Sequence, residues 1–403
     1  MRYTIGQLAE IIDGDRGKNY PKQDEFYPQG YCLFLNTGNV TKEGLIFEEN
    51  QFIMKEKDEA LRKGKLKRGD IVYTTRGTVG NAGYYNSSVP YENVRINSGM
   101  VILRSNGEIV DARFLYQILK SEYYRPYFKQ YCTGSAQPQL PIKNFSQIYL
   151  NVPDIKTQHR IADILSVYDD LIENNQRQIK LLEEAAQRLY KEWFVNLRFP
   201  GHENTKIVDG VPEGWQWCKV RDVADINSSA LPKNYKEDFI DYVDLGSVRC
   251  GHIETRTRYN LNEAPGRAKR CAKDGDIIWG MVRPNLKAYA LVTNPKETDV
   301  FSTGFAVLSA KKVPYSYLYC AVTQEEFVGY LVNATNGAAY PAVKPVHFEV
   351  ADILKPDDKV LEQFHSVADS IYRKKEALEN QNHNLRESRD LILPKLMSGE
   401  VEV

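Results

Sequence analysis

The residues whose types and spacing could do chemistry in this sequence are cationic. Arg62, Lys63, Lys65, Lys67 and Arg68 precede Gly69-Asp70, and Arg267, Lys269, Arg270 and Lys273 precede Gly275-Asp276, with Arg256 and Arg258 further upstream. A recurring cluster of this kind can hold DNA phosphates by charge; a charge run is equally an ordinary solvated face. Arg76 and Arg283 follow two matched strand-like blocks, close to Gly77 and Pro284. A guanidinium there can read guanine through its bidentate fork, or close a structural ion pair. Tyr73, Tyr84, Tyr85 and Trp279 are expected in the core or at its rim rather than stacked on bases.

Catalytic constellations are not apparent. The sequence has no Asn/Asp-Pro-Pro-Tyr/Phe methyltransferase motif, no phosphate-binding Walker loop and no HExxH pair. Pro153-Asp154 and Pro356-Asp357 could open a nuclease motif, but each stands where a long helix begins, and aspartate is an ordinary partner of a helix N-terminus. The cysteines are Cys32, Cys132, Cys218, Cys250, Cys271 and Cys320; none forms a CxxC pair, so neither zinc nor a disulfide framework is expected. Lys plus Arg and Asp plus Glu number 53 each, so the net charge is zero. Any DNA role must then rest on local basic surfaces or on partner subunits that share the phosphate contacts. No apolar run approaches the ~20 residues that span a bilayer. The opening Met1-Arg2-Tyr3-Thr4-Ile5-Gly6-Gln7 lacks the apolar core of a signal peptide. A cytoplasmic protein without membrane contact is expected.

The elements that must position these residues are written twice. Ile5–Ile11 resembles Val220–Ile226, Gly69–Val72 resembles Gly275–Ile278, and Asn97–Met100 resembles Ser302–Phe305, at offsets of 215, 206 and 205. Gly134–Pro138 resembles Gly337–Pro341 and Glu173–Asn175 resembles Glu379–Gln381, at offsets of 203 and 206. The colinear order and slow drift are what two copies of one fold produce when their loops differ in length. At 403 residues, the chain suits two or three domains. The β-branched and aromatic blocks around Ile71 and Ile277 read as strands. Phe114-Leu115-Tyr116 and Tyr317-Leu318-Tyr319 read as helices packed on them. Each copy is thus expected to be an α+β domain followed by a helix.

The helices carry the clearest periodicity. Ile161, Leu165, Tyr168, Ile172, Asn175, Ile179, Leu182, Ala186, Leu189 and Trp193 follow alternating steps of four and three. In the second copy Phe364, Val367, Ile371, Lys374, Leu378, Gln381, Leu385, Ser388 and Ile392 do the same, so a shift of 206 equates Leu165 with Ile371. Each apolar stripe needs a partner, and the other copy is the simplest one, giving two long antiparallel coiled-coil helices. Asn175 and Gln381 then occupy equivalent seam positions. They either fix the register as a buried amide pair or are two amides tolerated at a solvated edge. Trp193 and Phe194, ahead of Pro200-Gly201, either pack on the neighbouring domain or dock a partner subunit.

With these residues in place, the chain resembles a specificity subunit of a type I restriction–modification system along essentially its whole length. The telling pieces are Val211-Pro212-Glu213-Gly214-Trp215 with Trp217–Val223, Gly134–Leu140, the helix start Pro153-Asp154 through Gln158-His159-Arg160-Ile161-Ala162, and the duplicated order of domain and helix. The first copy lacks the Pro-Glu-Gly-Trp opener. The second has Ala338-Ala339-Tyr340-Pro341 and Glu362-Gln363-Phe364 in place of the Ser-Ala-Gln-Pro and Gln-His-Arg-Ile stretches.

The resemblance implies two similar target recognition domains, 1–153 and 214–356, each reading one half of a split double-stranded DNA target. It implies spacer helices at 154–199 and 357–398, a linker at 200–213 and a tail at 399–403, with an internal pseudo-two-fold repeat. The helices would set the unread gap and dock two methyltransferase subunits, which use S-adenosylmethionine; two restriction subunits using ATP and Mg would join in the nuclease form. This chain would be non-catalytic and hold no cofactor of its own. The opposing expectation is a coiled-coil scaffold with two protein-binding domains and no DNA affinity.

Overall fold

Apolar residues of strand and helix period decide where the chain turns inward. Ile71–Thr74 and Ile277–Gly280 are β-rich on both faces and become strands buried at every position. In a computed structural model that describes residues 1–134, 137–335 and 341–401, these strands lie inside two compact units. One is Met1–Asn174 with Gln381–Val403; the other is Asn175–Asn380. The repeat blocks Gly134–Pro138 and Gly337–Pro341 lie partly outside the described residues.

In the first unit, a four-stranded antiparallel sheet runs in the order Ala9–Asp13, Met100–Ser105, Ile71–Thr74, Ala82–Tyr84. A three-stranded sheet has Cys32–Leu35 between Phe52–Ile53 and Val94–Ile96, and its pairing with Val94–Ile96 is parallel. Arg2–Thr4 pairs antiparallel with Tyr149–Asn151. The main core gathers Ile5, Leu8, Ile71, Tyr73, Phe114, Phe128, Phe145, Ile161 and Leu165, and is closed by Leu393 and Leu396.

The second unit repeats the plan. Its antiparallel sheet runs Ala224–Ile226, Phe305–Ala310, Ile277–Gly280, Tyr289–Leu291. Ile102 faces Val72 in the first sheet, and Val307 faces Ile278 in the second. The other sheet again centres on a parallel pair, Phe239–Val243 with Asp299–Ser302, flanked by Thr257–Asn260 and Ala268–Arg270. Gln216–Lys219 pairs with Asp352–Lys355, as Arg2–Thr4 pairs with Tyr149–Asn151. The α+β class and the internal repeat are therefore as the sequence implies.

The long helices are Ile155–Tyr190, of 36 residues, and Asp358–Ser398, of 41. Asp154 caps the first, its carboxylate accepting from the Lys156 and Thr157 amides at 3.1 Å each and from Thr157 Oγ1 at 2.7 Å. Asp357 accepts from the Lys359 amide at 2.8 Å. The two aspartates that could have opened a nuclease motif are thus helix caps. Both units cut each long helix, between 174 and 175 and between 380 and 381. Within each unit the two segments run antiparallel. In the first, Asp169 meets Arg389. In the second, Glu183 meets Lys375 while Tyr190 and Phe194 lie beside Phe364.

The first helix buries or half-buries every residue of its expected seam. The second does not. Val367 is 45% exposed, and Lys374, Gln381 and Ser388 face solvent. The buried stripe keeps Phe364 and Leu378 of the expected seam and otherwise runs through Leu361, Ala368, Tyr372, Lys375, Asn382, Arg389, Leu393 and Leu396. Counted from the equivalent helix caps and strand pairings, the shift between the helices is 203, not 206: Ile161 corresponds to Phe364, Leu165 to Ala368, Asn175 to Leu378 and Ala186 to Arg389. Of the two amides, Asn175 is buried, at 4% exposure, while Gln381 is exposed and its neighbour Asn382 is buried instead, at 2%. The reason is chemical. The true stripe carries Lys375 and Arg389, which only their partners make acceptable inside, so apolar lettering alone misses part of it.

Candidate DNA-facing surfaces

Folding sorts the cations of the two basic stretches into two kinds. In the first unit, Asp58 is buried and holds Arg95 Nε at 2.5 Å and Lys65 Nζ at 2.6 Å. Arg95 also donates to the carbonyls of Lys63, Asp58 and Leu61. Burial works to raise the Asp58 pKa, and the Lys65 and Arg95 hydrogen bonds outweigh it and hold the carboxyl below its usual range. Arg62 lies 3.9 Å from Asp15. Arg68 donates to the carbonyls of Asn86, Val89 and Tyr91 and covers the Tyr85 ring at 4.2 Å. Lys65 and Arg68 are therefore engaged in holding the fold. Lys63, Lys67 and Arg76 are exposed, and their side chains make no hydrogen bond or ion pair among the described residues.

The second unit repeats this division. Arg258 clasps Asp241 at 2.9 and 3.1 Å with its guanidinium 4.0 Å above the Phe239 ring, and Arg256 reaches Asp299 at 3.2 Å. The Arg258 hydrogen bonds depress the Asp241 carboxyl. On the strand Ala268–Arg270, Ala268 points inward, so alternation turns its neighbours outward. Arg267 and Lys269 are exposed, without a side-chain partner among the described residues. Arg270 is half-buried, and its Nε is enclosed without a hydrogen bond.

Arg76 and Arg283 are not structural counterparts. Leu140 N donates to the Thr75 carbonyl and Val343 N to that of Met281, which equates Thr75 with Met281. Arg76 bridges Gln139 as Val282 bridges Ala342. Arg283, at φ +51°, therefore stands where the first unit has Gly77, at φ +72°. Lys287, at φ +54°, stands where the first unit has Gly80, at φ +100°. A side chain in this left-handed region costs ~1–2 kcal/mol. The sequence match placed both arginines after like strands, and the fold separates them by one residue.

Of the two aromatics at the end of the first helix, Phe194 is core. It lies 4.8 Å from Tyr317, 5.0 Å from Phe364 and 5.8 Å from Trp215, at 5% exposure. A side chain covered by its own unit offers no docking surface. Trp193 is half-buried, 6.0 Å from Phe364.

Sequence reading missed the groups that join each domain to its helix segments. In the first unit, Asp169 accepts from Gln117 at 2.6 Å, from Lys120 at 2.8 Å and from Arg389 at 2.9 Å. Burial would raise the Asp169 pKa, and the Lys120 and Arg389 charges outweigh it and lower it. In the second, His252 lies 2.8 Å from Glu379 and 3.3 Å from Glu183, and Lys375 reaches Glu183 at 2.6 Å and the Gly251 carbonyl at 2.8 Å. Burial disfavours the imidazolium, but hydrogen bonds to Glu183 and Glu379 raise His252 to about 9. No spacing rule connects such distant positions, so the sequence carries no signal for them.

The molecule is thus a duplicated α+β fold with exposed cations on both copies. Among the described residues, no group of three or more His, Cys, Asp or Glu side chains is placed to hold a metal ion. No helix among them is long and apolar enough to cross a membrane. This is the class of a two-domain α+β repeat protein, and comparisons with known proteins make it particular. Residues 1–184 match the family model of the type I restriction modification DNA specificity domain. The type I restriction enzyme HindI specificity subunit of Haemophilus influenzae is 23% identical across 98% of this chain and 100% of its own length. The MjaIX specificity subunit of Methanocaldococcus jannaschii is 25% identical, covering 86% of this chain and 81% of the relative. The crystal structure of the type I restriction–modification S subunit from M. genitalium shares the fold, with a TM-score of 0.55 and 14% identity over 98% of this chain and 95% of that one. The resemblance to type I specificity subunits holds along the whole chain, and the DNA-recognition reading prevails over the scaffold reading.

Proposed function

We propose that this chain is the non-catalytic, DNA sequence-reading subunit of a cytoplasmic type I restriction–modification complex. Each unit reads one half of a bipartite target in double-stranded DNA, and the long helices set the gap. Two methyltransferase subunits dock on it and supply S-adenosylmethionine chemistry; two restriction subunits with ATP and Mg join in the nuclease form. The observation that carries this reading is one sheet topology built twice, within a chain that is similar over nearly its whole length to specificity subunits. A single small domain reads few base pairs, at ~1–3 kcal/mol of discrimination per good contact. Linking two domains makes the second binding event intramolecular. The exposed cations Lys67, Arg76, Arg267 and Lys269 supply phosphate or base contacts. The zero net charge leaves a share of the backbone contacts to the partner subunits.

The test is adenine-methylation sequencing of cells that express this chain with its neighbouring methyltransferase subunit. A split motif with two short half-sites and a fixed gap is expected. No new motif, from a methyltransferase shown to be active with another specificity subunit, would return the weight to the scaffold reading.

A further inference from the structure

The strands Ile277–Gly280 and Tyr289–Leu291 are neighbours in the four-stranded sheet, in register at Trp279–Tyr289, and Tyr289–Leu291 is its edge strand. The turn that joins them is built unlike its counterpart in the first unit. There, the two left-handed positions are Gly77 and Gly80; here, they are Arg283 and Lys287. The conformation gains nothing from the larger side chains, which oppose it. Strained positions of this kind persist where the surroundings over-determine them, and here they do. Arg283 N donates to the Pro341 carbonyl at 2.7 Å, and Lys287 N to the Pro284 carbonyl at 3.0 Å. Lys287 Nζ pairs with Glu325 at 2.5 Å, and Pro284 is buried beneath.

What this rigid base presents to solvent is a compact set: Arg283, Asn285 and Leu286, the last 59% exposed. The Asn285 amide makes no hydrogen bond among the described residues. In the DNA major groove, guanidinium reads guanine, asparagine reads adenine and an apolar group meets the thymine methyl, and an exposed turn can carry all three to the base edges. We propose, resting on the DNA-recognition reading above, that the turn Val282–Lys287 is a base-reading tip of the second unit. Asn285 and Leu286 are specificity-determining residues there, and Arg283 is held in a glycine position so that its side chain reaches a base edge.

The experiment uses the full chain with its methyltransferase partner and reads the methylated motif genome-wide for Arg283→Gly, Asn285→Ala and Leu286→Ala. Arg283→Gly installs the residue that the first unit carries at the same place, so thermal stability is retained or raised. At least a tenfold loss of preference is expected at one or two positions of one half-site, with the other half-site and the gap unchanged. The assignment is overturned if all three variants, folded and active, keep the parental motif, or if both half-sites relax together. A parental complex that shows no split motif at all overturns the DNA reading itself, and this assignment with it.

Discussion

The two units share a topology and attach it to their helix segments by different chemistry. In the first, aliphatic packing of Ile161, Leu165, Leu393 and Leu396 on the domain is joined by a charged centre: Asp169 is enclosed by Gln117, Lys120 and Arg389, with Lys120 5% and Arg389 10% exposed in their side chains. In the second, the joint is chiefly aromatic, with Tyr190, Phe194, Trp215, Tyr317 and Phe364 packed in tilted and edge-to-face pairs at 4.8–6.5 Å. A cluster of half-buried His252, Glu183 and Glu379 around the buried Lys375 lies beside it. A duplicated fold keeps its sheet order because every strand depends on that order. The surface that meets the helices is free to find another solution, provided that each buried charge meets a partner and each apolar face is covered.

Removing the centre of the aromatic joint is expected to do most damage. Phe364→Ala empties a site at 0% exposure and should cost ~3–5 kcal/mol, seen as early unfolding of the second unit with the first unit's transition unchanged. Equal destabilisation of both units would show that the joints are not separate. The charged centre of the first joint comes next. Asp169→Ala leaves Lys120 and Arg389 facing each other, and about 3 kcal/mol is expected, the low end for breaking a buried pair, because the Asp169 side chain is 21% exposed. Denaturant unfolding checks it, and replacing Lys120 and Arg389 by Met in the same chain should recover most of the loss.

A subtler contrast lies in pH. The His252 pKa is raised from 6.5 to about 9 in the folded chain. Its stabilising contribution is therefore complete below about pH 6.5, declines above that and is lost as pH rises through about 9. The difference in melting temperature between the parent and His252→Gln should shrink over that window; a constant difference would remove the imidazolium from the account. The smallest effects belong to the exposed cations. Lys67→Ala and Lys269→Ala should change stability by less than ~0.5 kcal/mol. Each should lower the slope of log binding constant against log salt by ~0.9 if it meets one phosphate, measured on the assembled complex with duplex DNA. An unchanged slope would assign that lysine to an ordinary solvated face.

Much of this architecture was legible in the chain alone. The repeat, the paired strands around Ile71 and Ile277 and the two long helices follow from local pattern, because strand and helix periods and turn residues act over a few neighbours. The seam of the first helix was readable for the same reason: its buried positions are nearly all apolar. The second helix shows where that reasoning stops. Lys375 and Arg389 are buried only because Glu183 and Asp169 lie almost two hundred residues or more away in sequence and a few ångströms away in space. The apolar pattern therefore pointed to Gln381, and the fold chose Asn382. Likewise, the sequence could list the arginines and lysines but could not say which were spent. Asp58, Asp241 and a row of loop carbonyls engage Lys65, Arg258 and Arg68, and leave Lys67, Arg76, Arg267 and Lys269 facing outward. Composition and period are short-range properties that a sequence states directly; the pairing of charges is a long-range property, and it exists only once the chain has closed upon itself.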